Sequence, residues 1–266
     1  MWDFHHDPLR DTLAARYHLH LTRPSDCARE LLAGQADLGL IPIAALTPDV
    51  RIVPGCTIAS LHRVRSIQLI VKQPLALAHV RTVAADTASR SSVAYAQVLF
   101  RHFLGTTPTF HPATPDVEAM LATADAALVI GDPALLALER SAEIEAAIGP
   151  CVWYDVAELW HAHTGLPWVA AVWAVRPEAI PTPAARRQLT EDLTHSRDHG
   201  LQHIDDLVRD WIPRIAIPAA AIRSYLTENI CYSLDPACIR SIELFRALAA
   251  RHKILPSLPT LPFLDF

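Results

Sequence analysis

Residues 86–92, DTASRSS, crowd hydroxyls and one guanidinium between a short apolar stretch and an amphipathic one. In a strand-to-helix turn, the N–H groups near Ser91 and Ser92 open the helix without intrahelical partners. Together with the helix dipole they favour an anion, and Ser89, Arg90 and Ser91 add side-chain donors. Thr87 shares the turn. The same residues also read as ordinary Ser/Thr capping beside a solvated Arg90, and residue types alone lean to that plainer reading. Asp132, in GDPALL, is likewise either a helix cap ahead of Pro133 or a ligand contact.

Histidine is abundant, with close pairs at His5-His6, His18/His20 and His161/His163. A metal centre needs several converging ligands with supporting partners. His18 and His20 would share one face of a strand, but no neighbouring Cys or acidic group completes a set, so no metal is expected. His161 and His163, flanking a turn before Thr164, are candidates for acid/base work. There is no G-x-S-x-G elbow, no G-x-G-x-x-G and no G-K-[ST] loop. Nucleotide, nicotinamide and flavin cofactors are therefore not indicated.

Those residues need elements to hold them. Residues 17–22 (YHLHLT) alternate like a strand, and residues 25–32 follow as a helix closed by Gly34. Residues 36–43 (ADLGLIPI) and 66–72 (SIQLIVK) read as buried strands. A second cycle runs through a strand at 80–85, a helix at 93–104, a helix at 117–122 and a strand at 126–130. The helix opened by Gly131-Asp132-Pro133 completes it. A strand at 168–176 precedes four helices. Strand–helix alternation implies α/β architecture with mostly parallel sheets in two lobes. The expected division places residues 1–73 and 174–266 in one discontinuous lobe and 74–173 in the other. Ligands in such folds sit beyond the carboxyl ends of strands. Three turns should then face one cleft: that of Ile41 and Pro42, that of residues 86–92, and that of Asp132.

Composition narrows the class further. The chain has 266 residues, 51% hydrophobic and 19% charged, enough for a large core and unlike a disordered chain. Lys plus Arg number 23 against 28 Asp plus Glu, a net charge of −5, which gives no support to nucleic-acid binding. Five scattered cysteines suggest reduced thiols, and the N-terminal MWDFHHDPLR lacks the features of an export signal. The longest apolar run, residues 166–175, is about half the ~20 residues of a membrane span. A cytoplasmic protein with a small-molecule ligand, no membrane partner and an unassigned oligomeric state is expected.

Residues 158–176, ELWHAHTGLPWVAAVWAVR, resemble the E-x-W-x-x-x-T-G-L-P-[FW]-V-x-A-V-W signature of the menaquinone-biosynthesis family that includes chorismate dehydratase. ADLGLIPIAAL, RSIQLIVKQPL, DTASRSSVAYAQVL, DAALVIGDPALL and YLTENICYSLD match further segments in the family's order. The resemblance implies a two-lobed fold like that of type II periplasmic binding proteins, with C-terminal helices packed back on the first lobe. It also implies a lyase that removes water from chorismate to give 3-[(1-carboxyvinyl)oxy]benzoate without cofactor or metal. Carried across, it makes Ser66 catalytic. The substrate contacts would be Ile41, Pro42, Thr87, Ser89, Arg90, Ser91, Ser92, Asp132 and Thr164. A substrate carboxylate would act as base, assisted by a Ser and an Asn.

One departure stands out. The family opens with a strand and turn of the form [YF]-L-N-x-x-P-L, for which this chain has no counterpart, so the assisting Asn has none either. The expectation is that the natural start lies upstream, since that strand would be central to its sheet. Two rival functions share the fold: the sister 1,4-dihydroxy-6-naphthoate synthase, and a non-catalytic module that binds small carboxylates.

Overall fold

Two β-sheets share the strands, and the chain crosses between them twice. The computed structural model describes residues 1–22, 24–86 and 90–266. After α1 (Arg10–Ala14) and α2 (Pro24–Leu32) come β1 (Leu38–Pro42), a 3-10 turn at Ile43–Ala45 and the long β2 (Arg51–Ser60). The chain then crosses to β3 (Ile67–Lys72), β4 (Thr82–Asp86) and α3 (Arg90–Val98), which runs into a π-type turn at Leu99–Phe103. Next are β5 (Thr109–Ala113), α4 (Val117–Thr123), β6 (Ala126–Ile130), α5 (Gly131–Glu139), α6 (Ser141–Ile148), β7 (Cys151–Asp155) and α7 (Val156–Thr164). It returns in β8 (Trp168–Val175), followed by α8 (Pro183–Gln202), α9 (Ile204–Trp211) and α10 (Ala219–Ser224). A π-type turn at Tyr225–Asn229 leads into β9 (Cys231–Leu234) and α11 (Pro236–Arg251). The strand orders are β1-β8-β2-β9 and β5-β4-β6-β3-β7. No described helix is long and apolar enough to cross a membrane.

The α/β class and the two sheets match expectation, but strand direction does not. Among the described strands, only β4 with β5 and β4 with β6 pair in parallel; the other strand pairings are antiparallel. Parallel pairs come from strand–helix–strand crossovers within one lobe. β3 and β8 instead arrive straight from the opposite lobe, enter their sheets from the cleft end, and so run against their neighbours. The crossings also come earlier than expected: β3 lies in the five-stranded sheet and β8 in the four-stranded one. The switch therefore falls between Ser60 and Ile67 and between Thr164 and Trp168, not after residues 73 and 173.

Residues 17–22 form no strand. Their alternation finds no ladder, because β1 pairs with β8 alone among the described residues, and 18–22 lie exposed. A strand without a hydrogen-bonded neighbour has nothing to hold it. Strands β2, β5, β7 and β9 were not foreseen. β2 and β5 carry Pro54 and Pro112, which read as loop signals, yet β5 is an edge strand, where Pro is tolerated.

Local chemistry sets several helix starts. Asp116, Asp155, Thr182 and Asp235 each accept N–H bonds as N-caps of α4, α7, α8 and α11. Gly165, at φ +68°, ends α7 in the left-handed conformation. Asp132 is not the expected cap: α5 starts at Gly131, Ile130 precedes it, and no side chain caps it.

An aromatic knot joins the lobes. Tyr95 of α3 stacks on Phe245 of α11 with ring centroids 4.0 Å apart, and Trp160 meets Tyr95 edge-on at 4.9 Å. The Trp160 indole donates to Ser241 Oγ at 3.0 Å, and Ser241 in turn donates to the Pro167 carbonyl. Buried aromatic pairs of this kind add about 0.5–1.5 kcal/mol beyond area burial. The C-terminal helices do not serve the first lobe alone. Ile215 and Ile222 cluster with Leu135 of α5, so this segment lies across the second lobe.

One carboxylate fixes the first crossing. Asp155, 2% exposed, accepts from the N–H groups of Val64 (3.2 Å), Arg65 (2.6 Å), Ala157 (3.0 Å) and Glu158 (3.2 Å). Gln68 Nε2 adds a bond at 3.2 Å. Arg65 sits at φ +62°, a conformation that a non-glycine residue keeps only under such restraint. Asp155→Ala strands these buried donors and should lower unfolding free energy by about 3 kcal/mol. Denaturant melts would show a lower midpoint at unchanged slope; a midpoint equal to the parent's removes Asp155 from this role.

Candidate functional site

The crossing that Asp155 holds ends at Ser66. Ser66 is 6% exposed, its carbonyl accepts from Gly131 N–H at 2.7 Å, and its Oγ accepts from the Tyr225 hydroxyl at 3.0 Å. Ser66, the start of α5 and the π-type turn therefore meet at one point. Gly131, at φ +64°, allows the tight entry from β6 into α5. Burial pushes the Tyr225 phenol up, and the negative charges of Asp132 and Asp155 add to this against the Ser66 hydrogen bond. The phenol thus stays protonated and acts as a donor. With Tyr225 donating to its oxygen, the Ser66 hydroxyl keeps its own proton to give.

A second corner joins the expected turns of Ile41–Pro42 and Ser91. Ala44 N–H donates to Ser91 Oγ at 3.2 Å, bringing the turn after β1 against the start of α3. Ile41 is fully buried and Pro42 ends β1, so both shape this corner through backbone rather than exposed side chains. Ser92 is buried beside Ser91. Beneath lies Arg246 of α11, 3% exposed, donating to the carbonyls of Ile43 (3.5 Å), Ala44 (3.4 Å) and Pro256 (3.2 Å). Burial pushes its pKa down. Neither Arg246 nor Tyr225 was foreseen; Tyr225 opens the YLTEN match, and Arg246 carries no local signal on an amphipathic helix.

Other expected residues go elsewhere. Arg90 is exposed and lines a separate groove of about 410 Å³ with Asp86, Gln97, Phe110 and His111. Thr164 donates to the Trp160 carbonyl at 2.8 Å and accepts from Leu166 N–H at 3.1 Å, so its hydroxyl closes the end of α7. His161 and His163 lie in the last turn of α7 rather than beside a turn, and His163 stacks on Phe103. Thr87 and Ser89 fall outside the described residues. Asp132 is exposed in the first turn of α5.

Polar atoms cluster along the hinge. Ser60 Oγ, Trp168 Nε1 and Asn229 Oδ1 are buried with no hydrogen-bond partner among the described residues. Ser60 and Trp168 face each other in register across β2 and β8. Asn229 Nδ2 holds the Arg63 carbonyl at 3.0 Å, just before Ser66. Buried polar atoms of this kind call for an explanation, and a polar ligand is one. A cavity of about 730 Å³ lies apart from this chemistry, walled by Trp2, Leu40, Ile58, Trp173, Leu207 and Trp211. Among the described residues no expected histidine pair forms a metal-binding set, but Asp3, His195 and His199 each bring a ligand atom within 4.8 Å of the others.

Comparison with known proteins places this geometry. The chain is 29% identical over 223 residues to the chorismate dehydratase of Thermus thermophilus, covering 80% of this chain and 79% of that one. A solved protein of Archaeoglobus fulgidus superposes with a TM-score of 0.68 at 13% identity, covering 96% of this chain and 94% of that one. The periplasmic aliphatic sulphonate binding protein of Escherichia coli gives 0.56 at 16% identity, covering 97% and 88%. These likenesses show a periplasmic-binding-protein-like fold. The family model described as menaquinone biosynthesis matches residues 3–251, nearly the whole chain, and the protein belongs to that family.

Proposed function

We propose that this chain is a chorismate dehydratase, a carbon–oxygen lyase that converts chorismate to 3-[(1-carboxyvinyl)oxy]benzoate and water. The observation that carries this reading is the Tyr225–Ser66 hydrogen bond at the mouth of α5, in a family member whose relative bears that name. Chorismate loses a proton from ring C3 and hydroxide from C4. The electron pair of the broken C–H bond completes the aromatic ring, and the departing hydroxyl takes up a proton to leave as water. Aromatisation supplies the driving force, so the protein's task is to position the diene and protonate the leaving group.

Ser66 is suited to that task. Its oxygen is held by the Tyr225 phenol, which leaves its own hydrogen directed away from Tyr225 and toward a bound ring. The phenol, kept neutral by burial, holds the serine oxygen without adding charge, and the proton that the substrate carboxylate takes from C3 returns to Ser66 once water has left. A substrate carboxylate serves as base for the C3 proton. The substrate carboxylates are received at the corner of Ile41, Pro42, Ser91 and Ser92, where the Ala44 N–H meets Ser91. The unpartnered Ser60, Trp168 and Asn229 atoms support a polar ligand at the hinge between them.

Incubation with chorismate followed by chromatography for the carboxyvinyloxy-benzoate tests the reading. Chorismate bound without product would favour a non-catalytic carboxylate module, and formation of 1,4-dihydroxy-6-naphthoate from its own precursor would favour the sister enzyme; either result overturns the dehydratase. Ser66→Ala should lower kcat about 100-fold with KM changed less than about threefold, since its proton matters only as the hydroxyl leaves. Tyr225→Phe, which removes only the donor, should lower kcat about tenfold. Steady-state kinetics read both, and a Ser66→Ala enzyme as fast as the parent excludes Ser66 from the chemistry.

A further inference from the structure

His195, His199 and His203 follow one another at four-residue spacing along α8 and its C-terminal cap, so their rings share one face. Trp2 and Asp3 lie against that face. Asp3 is 1% exposed, and its N–H donates to Ser196 Oγ at 3.0 Å. One of its carboxylate oxygens lies 2.8 Å from His195 Nδ1 and the other 2.5 Å from His199 Nδ1. His199 Nε2 faces His203 Nε2 at 3.2 Å, and His203 Nδ1 lies 3.2 Å from the Asp206 carboxylate. The Trp2 indole stacks on His203 at 4.4 Å and on His6 at 3.6 Å, walling the cluster.

The row also leaves room for a cation beside Asp3. From Asp3 through His199 and His203 to Asp206 there are three contacts, bridged by two imidazoles. Both ends are carboxylates, which only accept. Three hydrogen bonds need three protons, and either a protonated ring or a bound cation at one contact completes the row. A metal ion between Asp3 and His199 Nδ1 would take the place of one of those protons. His199 then donates from Nε2 to His203, and His203 donates from Nδ1 to Asp206. Imidazole ligands are commonly oriented in this way, by a hydrogen bond from their second nitrogen. Arg209 already pairs with Asp206 at 2.7 Å, whereas no guanidinium or lysine ammonium pairs with buried Asp3 among the described residues.

We propose that Asp3, His195 and His199 bind one divalent transition-metal ion of the zinc class and so clasp the N-terminal segment to α8. Two imidazoles and one carboxylate suit such an ion better than magnesium or calcium, which prefer oxygen alone. The His195 side chain is 62% exposed, which leaves the fourth position to water. Metal–ligand bonds of about 2.0–2.1 Å set ligand atoms about 3.3 Å apart, so the contacts of 2.8 and 2.5 Å widen by about 0.5 and 0.8 Å on binding.

Tag-free protein stripped with EDTA and titrated with zinc chloride alone, by calorimetry and by thermal unfolding, tests the proposal. It should take up one ion per chain, with a rise in Tm of at least about 3 °C at a hundredfold excess over Kd, reversed by EDTA. Asp3→Asn and His199→Ala should each weaken binding at least tenfold, and His203→Gln, which removes only the supporting partner, about tenfold. His18→Ala, altering an exposed histidine elsewhere, should leave the affinity unchanged. Absence of saturable binding, or parental affinity in the His195→Ala/His199→Ala double variant, overturns the site. Cobalt bound to the unaltered chain reads the donors without substitution. A spectrum free of thiolate charge transfer supports nitrogen and oxygen ligands, and thiolate bands overturn them.

Discussion

The geometry of this protein depends on the carboxylate of Asp155. It ends a strand, caps a helix and accepts the backbone of the segment that crosses between the lobes, all with one pair of oxygens. Because it is buried, each bond it makes is made in a poorly screening interior, and each donor it satisfies would otherwise be stranded. Val64 and Arg65 are thereby fixed to the start of α7, Arg65 in a left-handed conformation, and Ser66 follows with little freedom. The position of the serine hydroxyl is thus set by an acidic residue some ninety positions further along the chain.

Around that anchor the two lobes are coupled by packing rather than by a loose hinge. Tyr95, Trp160 and Phe245 come from α3, α7 and α11 and interlock where the chain returns to the first sheet. Arg246, one residue beyond Phe245, ties three carbonyls on that side and so presents the Ala44 N–H to Ser91. The segment from Ile215 to Leu226 covers α5 and delivers Tyr225 to Ser66. One C-terminal arm therefore supplies both the brace under one corner and the donor at the other, which gives the helical tail a direct part in the site.

Much of the framework could be read from residue order. The apolar runs at β3, β6 and β8 and the helix start at Gly131 follow from local rules, because a buried strand announces itself within a few residues, although the cap expected at Asp132 is not made. Residues 17–22 show where local rules stop: the alternation is present, but pairing belongs to the neighbour, and β1 offers its ladder to β8. Strand direction failed for the same reason, since β3 and β8 look like any apolar strand and only their route across the cleft turns them against their partners. At the site, Ser66 and the turn containing Ser91 were visible through family motifs. Arg90 shows the limit of such matching, because a short motif does not fix where a helix-start arginine points, and here it lines a groove with Asp86, Gln97 and His111.

By itself the amino-acid order determined that this is an α/β chain with a large core, no nucleotide loop and a set of family segments in a fixed succession. Those properties are local, encoded in periodicity, capping and short motifs. Only the tertiary structure decided which oxygen faces which proton: Tyr225 on Ser66, Ala44 on Ser91, and Asp3 between two histidines of α8. The reason is distance along the chain. These partners stand 159, 47 and 192 to 196 residues apart, and no local preference can report a contact that exists only once both lobes and the terminal helices have closed.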